Sequence, residues 1–196
     1  SIQSSVLASG HLAHEEEVQL TTEEIGRVTA IFVEEGDRVT AGQLLLQIDD
    51  QMHRAAVEQS TAQVRLQEIA IERQRLRLEN VRKQWERQSM LHDQGLIDQD
   101  SFDLMTNELA LAAVDLESNR ESLSQARAQL EQAQDRLRKT RVYSPMDGVV
   151  TSLDIEVGET AISSTTNIPG SELMTIANPD SIHTEVNVDE ADIANV

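Results

Sequence analysis

The sequence predicts an α+β protein in which a long antiparallel coiled-coil hairpin is inserted into a small, split β-sandwich. Residues 51–140 contain one of the eight glycines and none of the three prolines. A stretch so poor in helix-breaking residues is typical of long helices. Leucines recur every seven residues within it, and a glycine motif occurs once on either side of it. The chain should therefore leave a β-module, form the hairpin and return to the same module.

Composition excludes several classes of function. The net charge is −19, whereas a nucleic-acid partner requires a basic face. The absence of cysteine excludes disulfides, thiolate metal sites and cysteine nucleophiles. The longest apolar run, residues 109–114, is far shorter than the roughly 20 residues that span a bilayer. No serine–histidine–aspartate set, phosphate loop or dinucleotide motif is present, so we expect no catalytic residues and no cofactor.

The negative charge lies mainly outside the predicted hairpin. Residues 51–140 carry 13 basic and 15 acidic side chains, whereas the remainder carries 3 basic and 20 acidic. The aromatic content of 2% also predicts thin or elongated packing in place of one large core.

Heptad spacing predicts both helices of the hairpin. In the first half, apolar residues lie seven apart at Val57, Val64, Ile71, Leu78 and Trp85. In the second half they lie at Phe102, Leu109, Leu116, Leu123, Leu130 and Leu137, with a companion line at Met105, Ala112, Asn119, Ala126 and Ala133. Such a repeat indicates a coiled-coil seam. Gly95 lies near the midpoint and marks the turn between two helices of about 40 residues each.

The first helix has a second apolar line, formed by Ala62, Ile69, Leu76 and Met90. It lies more than a right angle around the helix from the first line. We interpret it as a packing face for a neighbouring copy. The alternative is a set of scattered exposed aliphatic residues, which are common on protein surfaces.

The flanks of the hairpin repeat one motif at an offset of 122 residues. The first copy is Gly26-x-Val28-x-x-Ile31-x-Val33-x-x-Gly36-Asp37, and the second is Gly148-x-Val150-x-x-Leu153-x-Ile155-x-x-Gly158-Glu159. Each copy predicts a strand followed by a turn whose glycine has a positive φ. Two such half-sheets facing each other would form a β-sandwich.

This layout resembles the lipoyl/biotinyl-like fold. In cofactor carriers of that fold, a lysine lies at the tip of a β-hairpin. The two lysines here, Lys83 and Lys139, both belong to the predicted coil. We therefore reject the carrier interpretation.

A lipoyl-like module split by a helical hairpin is similar to the periplasmic adaptor proteins, or HlyD-type membrane fusion proteins. The residues that carry the resemblance are Val6-x-Ala8-Ser9-Gly10, the run from Gly26 to Leu45, Val142-Tyr143-Ser144-Pro145-Met146-Asp147-Gly148-Val149-Val150, Leu173–Ala177 and Val188–Ile193. The resemblance divides the chain into an N-terminal strand of the membrane-proximal or β-barrel region (1–13), a first lipoyl-like half (14–50), the helical hairpin (51–140, with its tip near 91–98), a second lipoyl-like half (141–179) and the start of a β-barrel domain (180–196).

The resemblance implies a non-catalytic subunit of a periplasmic duct for the export of drugs or other substrates. Its copies, six by analogy, would link an inner-membrane transporter to a TolC-type outer-membrane channel. The loop at 163–170 slightly favours an ABC-type transporter over the resistance-nodulation-division and major-facilitator types. We expect a location in the periplasm, with attachment to the inner membrane through an anchor outside this sequence. The alternative is a stand-alone coiled-coil scaffold, or an adaptor that does not dock to a TolC-type channel.

In relatives that dock to such channels, the hairpin tip carries an arginine, a leucine four residues later and a serine seven residues beyond. Here the pattern falls on Arg87, Leu91 and Asp98. Asp98 departs from it, either as an alternative helix N-cap or as the mark of a different partner or none. We assign Gly95, Leu96 and Ile97 to the same docking tip; Ile97 alternatively covers the end of the coil as a local staple.

Two further segments are candidate sites. The resemblance places Thr165, Thr166 and Asn167 in a loop that would line the channel as a polar constriction; the alternative is an ordinary exposed loop. His11 and His14 have a spacing that metal ligands use, but we interpret them as solvated side chains on an extended segment and predict no metal site.

Overall fold

A computed structural model describes residues 9–14, 16–163, 170–179 and 182–187. The chain forms two compact units: residues 50–138 make one, and the segments on either side make the other. The first is the helical hairpin and the second is a β-unit, so the predicted α+β fold class, with a hairpin inserted into a split lipoyl-like sandwich, is confirmed.

The β-unit contains ten strands among the described residues. In chain order they are β1 (Ser9–His14), β2 (Glu17–Thr21), β3 (Gly26–Ile31), β4 (Arg38–Val39), β5 (Leu44–Ile48), β6 (Arg141–Tyr143), β7 (Gly148–Leu153), β8 (Thr160–Ala161), β9 (Glu172–Ala177) and β10 (Ile182–Asn187). Strands β1 and β10 form an antiparallel pair of their own. The others form two four-stranded sheets in the orders β2-β9-β7-β4 and β6-β5-β3-β8.

Each four-stranded sheet contains strands from both halves of the repeat. We expected two half-sheets facing each other, and the structure differs because β2, β4, β6 and β8 each pair with a strand of the other half. β3 pairs with β8 through Gly26↔Ala161 and Arg27↔Thr160. β7 pairs with β4 through Gly148↔Val39 and Val149↔Arg38, which is the same register shifted by 122 residues. The two halves are therefore interlocked by symmetric strand exchange.

The two predicted glycine turns lead into the exchanged strands β4 and β8. Gly36 has a φ of +90° and Gly158 a φ of +98°, which confirms the expected positive φ. The Gly36 amide donates to the carbonyl of Val150, and the Gly158 amide donates to the carbonyl of Val28, each at 2.8 Å. Each turn is thus bonded to the long strand of the opposite half.

One hydrophobic core lies between the two sheets. Its buried members come from both halves of the repeat: Val28, Val33, Val39, Leu45, Leu46, Ile48, Val150, Ile155, Ala161, Leu173, Met174 and Ile176. None of them is aromatic, which agrees with the thin packing predicted from composition.

The hairpin unit consists of helix α1 (Gln51–Asp93) and helix α2 (Gln99–Lys139). Gly95 lies in the connection with a φ of +70°. Val64 and Val81 are the buried residues of α1, and Ala112, Leu116 and Ala126 are those of α2. The predicted seams therefore face inward, and their buried side chains are mostly small.

The inward companion line of α1 was not recognised in the sequence. Gln67, Gln74, Val81 and Gln88 lie three residues beyond the predicted line and are half-buried or buried. Their glutamine stems can cover apolar surface while the amides reach solvent. Ion pairs flank the seam, with Arg127 and Glu68 3.1 Å apart and Arg77 and Asp115 3.7 Å apart. All four side chains are largely exposed, so these pairs contribute little free energy but favour this register.

The repeat provides a matched test of packing in the β-unit. A Cβ atom at Gly148 would lie 2.7 Å from the backbone oxygen of Ala177. A Cβ atom at Gly26 would lie 2.5 Å from a side-chain methyl group of Ile48, and the nearest backbone atom, the oxygen of Asp49, would be 3.9 Å away. A side-chain methyl group moves more easily than a paired backbone. We expect Gly148→Ala to lower the free energy of unfolding by about 1–3 kcal/mol and Gly26→Ala by less. Urea unfolding of both variants measures the difference; equal losses would contradict it.

Candidate functional site

The connection between the two helices is built by backbone hydrogen bonds at the end of α1. The Gly95 amide donates to the His92 carbonyl at 2.8 Å, and the Leu96 amide donates to the Leu91 carbonyl at 2.9 Å. With Gly95 in the left-handed region, these two bonds form a Schellman motif. The chain reverses within residues 94–98, and this short turn is the tip of the hairpin.

Asp98 is the N-cap of α2. Its Oδ1 accepts the backbone amide of Ser101 at 2.9 Å, which satisfies one of the free amides of the first turn. Hydrogen bonds from the Ser101 side chain and from the Ser101 backbone amide lower the pKa of Asp98. Asp98 therefore makes the N-cap hydrogen bond that a serine at this position could also make.

The tip presents apolar side chains to solvent. Leu96 is 65% exposed and Leu91 is 36% exposed. Arg87 is also exposed, whereas Ile97 is half-buried. The fold thus brings all six predicted tip residues to one end of the hairpin. Ile97 combines proximity to the exposed leucines with partial burial, as expected of a local staple.

An aromatic cluster lies directly behind the tip. The rings of His92 and Phe102 are stacked, with centroids 4.7 Å apart and planes at 15°. Trp85 also packs against Phe102, with ring centroids 5.9 Å apart. The indole N–H of Trp85 donates to the Thr106 hydroxyl at 3.0 Å. Sequence analysis placed Trp85 and Phe102 on the seam but missed His92. The placement of Trp85 and Phe102 on facing helices close to the turn was the sequence signal that could have indicated this cluster.

A polar chain joins the same two helix ends. Nε2 of His92 lies 3.1 Å from Oε1 of Gln99, and Nε2 of Gln99 donates to Oδ1 of Asp103 at 2.8 Å. Gln99 is the first residue of α2. The last turn of α1 is therefore linked to the first turn of α2 by side chains as well as by the connection.

The outer faces of both helices carry exposed apolar residues. On α1, Ile69, Leu76 and Met90 of the predicted second line are half or more exposed. On α2, a group that the sequence analysis did not single out is also exposed: Leu104, Leu111 and Val114. The second line of α1 therefore does not belong to the seam of the hairpin.

Charge divides between the helices. Helix α1 carries 8 basic and 6 acidic residues, whereas α2 carries 5 basic and 8 acidic residues. The two helices thus differ in the sign of their net charge.

Other candidate positions contribute no described site. Thr165, Thr166 and Asn167 lie outside the described residues, as do the side chains of His11 and His14. Within the part of the chain that the structure describes, no cluster of three or more histidine or acidic side chains is placed to hold a metal ion. No described helix is long and apolar enough to cross a bilayer.

Comparison with protein families decides which family shares this arrangement. The family described as "RND MFP, barrel-sandwich hybrid domain" matches residues 16–169, more than three quarters of the chain. The chain belongs to this membrane fusion protein family. The predicted resemblance to periplasmic adaptors is therefore confirmed.

Curated membrane fusion proteins match with low identity. The pyoverdine export membrane fusion protein PvdR of Pseudomonas aeruginosa is 29% identical over 160 residues, covering 82% of this chain and 41% of that protein. The macrolide export protein MacA of Yersinia pestis is 26% identical over 204 residues, covering 100% of this chain and 52% of that protein. The chain spans about half the length of the curated relatives it matches.

Solved structures of membrane fusion proteins share the fold. MacA from Actinobacillus actinomycetemcomitans has a TM-score of 0.85 at 21% identity, covering 97% of this chain and 58% of that chain. The membrane fusion protein Spr0693 from Streptococcus pneumoniae R6 has a TM-score of 0.66 at 19% identity, covering 98% of this chain and 72% of that chain. Both likenesses concern the architecture.

In this membrane fusion protein, acid should weaken the start of α2. Because the folded-state pKa of Asp98 is lowered, its cap stabilises the folded chain above the unfolded pKa. That contribution is lost as pH falls through the folded pKa. The Ser101 amide proton shift, followed by NMR, should titrate with a midpoint below the usual aspartate range, and Asp98→Asn should abolish the titration. Persistence in Asp98→Asn but loss in Asp100→Asn would show that another carboxylate caps the helix.

Proposed function

We propose that this chain forms the hairpin and lipoyl-like part of a non-catalytic periplasmic adaptor. Several copies associate into a duct that links an inner-membrane transporter to a TolC-type outer-membrane channel. The observation that carries the proposal is the tip, where Leu91 and Leu96 face solvent at the end of a long hairpin. Exposed apolar side chains grouped at one end of an element are typical of a protein interface.

Support for docking comes from the position of each tip residue. Arg87 and Leu91 lie one helical turn apart on α1 and are both exposed. Gly95 turns the chain, and Leu96 enlarges the apolar surface beside Leu91. Arginine is one of the residue types enriched at the energetic centres of interfaces, and here it flanks an exposed apolar surface.

Asp98 fits this role without a serine. Aspartate and serine cap helices about equally well, and Asp98 makes the capping bond. We infer that the change preserves the tip and alters only the group offered to the partner. Asp98→Ser should therefore retain the helix and the docking.

Self-association is the second part of the proposal. One exposed apolar face lies on α1 at Ile69 and Leu76, and the other lies on α2 at Leu104, Leu111 and Val114. The two helices carry net charges of opposite sign. Packing α1 of one copy against α2 of the next would bury both faces and bring unlike charges together. Such a contact joins different surfaces, so repeating it produces a ring when the rotation closes. Six copies is the number we propose.

The surrounding segments have proposed roles. Pairing of β1 with β10 joins residues 9–14 to residues 182–187, which supports assigning 1–13 and 180–196 to one β-barrel domain. Residues 14–50 and 141–179 would form the lipoyl-like halves. Thr165, Thr166 and Asn167 would line the duct as a polar constriction.

For the transporter we propose the ABC type. Macrolide export proteins are among the relatives matched over the whole chain. The loop at 163–170 has the length expected for adaptors of that type. We propose that the duct exports drugs or other substrates. An anchor outside residues 1–196 would hold the protein at the inner membrane.

Docking can be tested because the chain contains no cysteine. We expect a cysteine placed at Asp98 in the full-length, membrane-anchored protein to crosslink in cells to an outer-membrane channel. Arg87→Ala or Leu91→Ala should reduce the adduct about tenfold, the effect expected of an interface residue that contributes about 1.4 kcal/mol. Immunoblotting and mass spectrometry identify the adduct.

The control is Met52→Ala, which removes an exposed apolar side chain near the other end of α1. It should leave the adduct unchanged. Adducts between adaptor copies alone would contradict channel docking and favour the stand-alone scaffold.

Self-association has its own test. Ile69→Gln and Leu76→Gln should each raise the dissociation constant of the oligomer about tenfold, because each removes about 1.5 kcal/mol of apolar burial. Met52→Gln is the matched control. Analytical ultracentrifugation of the full-length protein measures the shift, and an unchanged oligomer in the double variant would rule out this face.

A further inference from the structure

We propose that His92 is a positioning residue that holds the two leucines of the tip in the orientation needed for docking. This inference rests on the proposed docking of the tip. His92 belongs to the last turn of α1, directly after Leu91, and it is half-buried. No other residue of that turn has a described ring contact with α2.

The stacked pair joins the ends of the two helices. The His92 ring lies on the Phe102 ring with centroids 4.7 Å apart. Phe102 is held from behind by Trp85, whose indole donates to Thr106, and the Thr106 hydroxyl donates in turn to the Phe102 carbonyl at 3.0 Å. The surface on which His92 rests is therefore itself fixed. Two of the four aromatic residues of the chain are committed to this support.

The hydrogen bonds define the protonated nitrogen of His92. Gln99 donates its amide N–H to the Asp103 carboxylate, so its amide oxygen is the atom directed at His92. An amide oxygen can only accept, so Nε2 of His92 must be the donor. The neutral ring therefore carries its proton on Nε2. Stacking and hydrogen bonding together fix both the plane and the edge of the ring.

Anchoring His92 sets the direction of its neighbour. Successive residues of an α-helix point about 100° apart, so a ring held against α2 turns the preceding Leu91 away from the seam. The Leu96 amide is bonded to the Leu91 carbonyl, so the connection follows the same turn. Loss of the His92 contacts would leave the Asp98 cap and the bodies of both helices intact while allowing the last turn of α1, with its two Schellman hydrogen bonds, to rotate and fray.

The experiment measures tip order and docking separately in the full-length protein. A spin label at Leu96→Cys reports local mobility by electron paramagnetic resonance. We expect His92→Ala and Phe102→Leu each to increase the mobile fraction about twofold, since both remove the stack from a segment held by few other contacts. His92→Phe restores a ring on Phe102 and should recover most of the order. His53→Ala, a histidine in the first turn of the same helix, is the matched control and should have no effect.

Two further readouts distinguish positioning from general stability. Long-range proton–nitrogen NMR spectra of the wild type should show the Nε2–H tautomer of His92, and the helix content measured by circular dichroism should stay unchanged in His92→Ala. Crosslinking from a cysteine at Asp98 to the outer-membrane channel should fall at least about threefold in His92→Ala and recover in His92→Phe.

The outcomes separate this inference from the docking proposal. An unchanged mobile fraction in His92→Ala, or the Nδ1–H tautomer in the wild type, would overturn the role of His92 even if the wild type crosslinks to the channel. If the mobile fraction increases in His92→Ala but the wild type forms no channel adduct, docking is overturned. His92 would then order the tip without serving docking. Loss of order together with loss of the adduct, both recovered in His92→Phe, would establish it.

Discussion

The pairing of β5 with β6 is the constraint on which the architecture depends. The hairpin leaves the sandwich after β5 and returns to it at β6, so these strands must lie side by side for the insertion to be possible. They do so through Leu46↔Val142 and Gln47↔Arg141, and the Ile48 amide donates to the Thr140 carbonyl at 2.8 Å. Leu46 and Ile48 are fully buried, so the same strand that holds the hairpin base also forms the core.

The two halves of the small β-unit are interlocked by hydrogen bonds. Exchange of β4 and β8 commits each glycine turn to hydrogen bonds with the opposite half. Neither half can then separate without exposing the amides and carbonyls of the other, which is costly for buried backbone groups. This arrangement compensates for a core made of aliphatic side chains without aromatic residues.

The hairpin shows the opposite balance between burial and exposure. Its seam buries mainly valine and alanine and accepts glutamines at the companion positions of α1, whereas leucines and an isoleucine remain outside. Long apolar side chains left in water are unfavourable for an isolated hairpin. The distribution is understandable if the outer faces and the tip are covered in an assembly, which connects the energetics of the coil with the proposed function.

The amino-acid sequence by itself determined the helices, the turn at Gly95, the glycine turns and the duplication, because heptads, helix breakers and positive-φ glycines are local signals. The family resemblance and the six tip residues also came from local motifs. Only the tertiary structure decided that β4 and β8 exchange between halves, because strand partners are chosen by packing between residues far apart in the chain. It likewise decided that Gln67 and Gln74 face inward while Leu76 faces outward, and that His92 stacks on Phe102. A glutamine or histidine can cover apolar surface with its stem or ring while its polar end stays hydrogen-bonded, and an aliphatic side chain can remain in solvent, so the place of each depends on what the opposite helix presents to it.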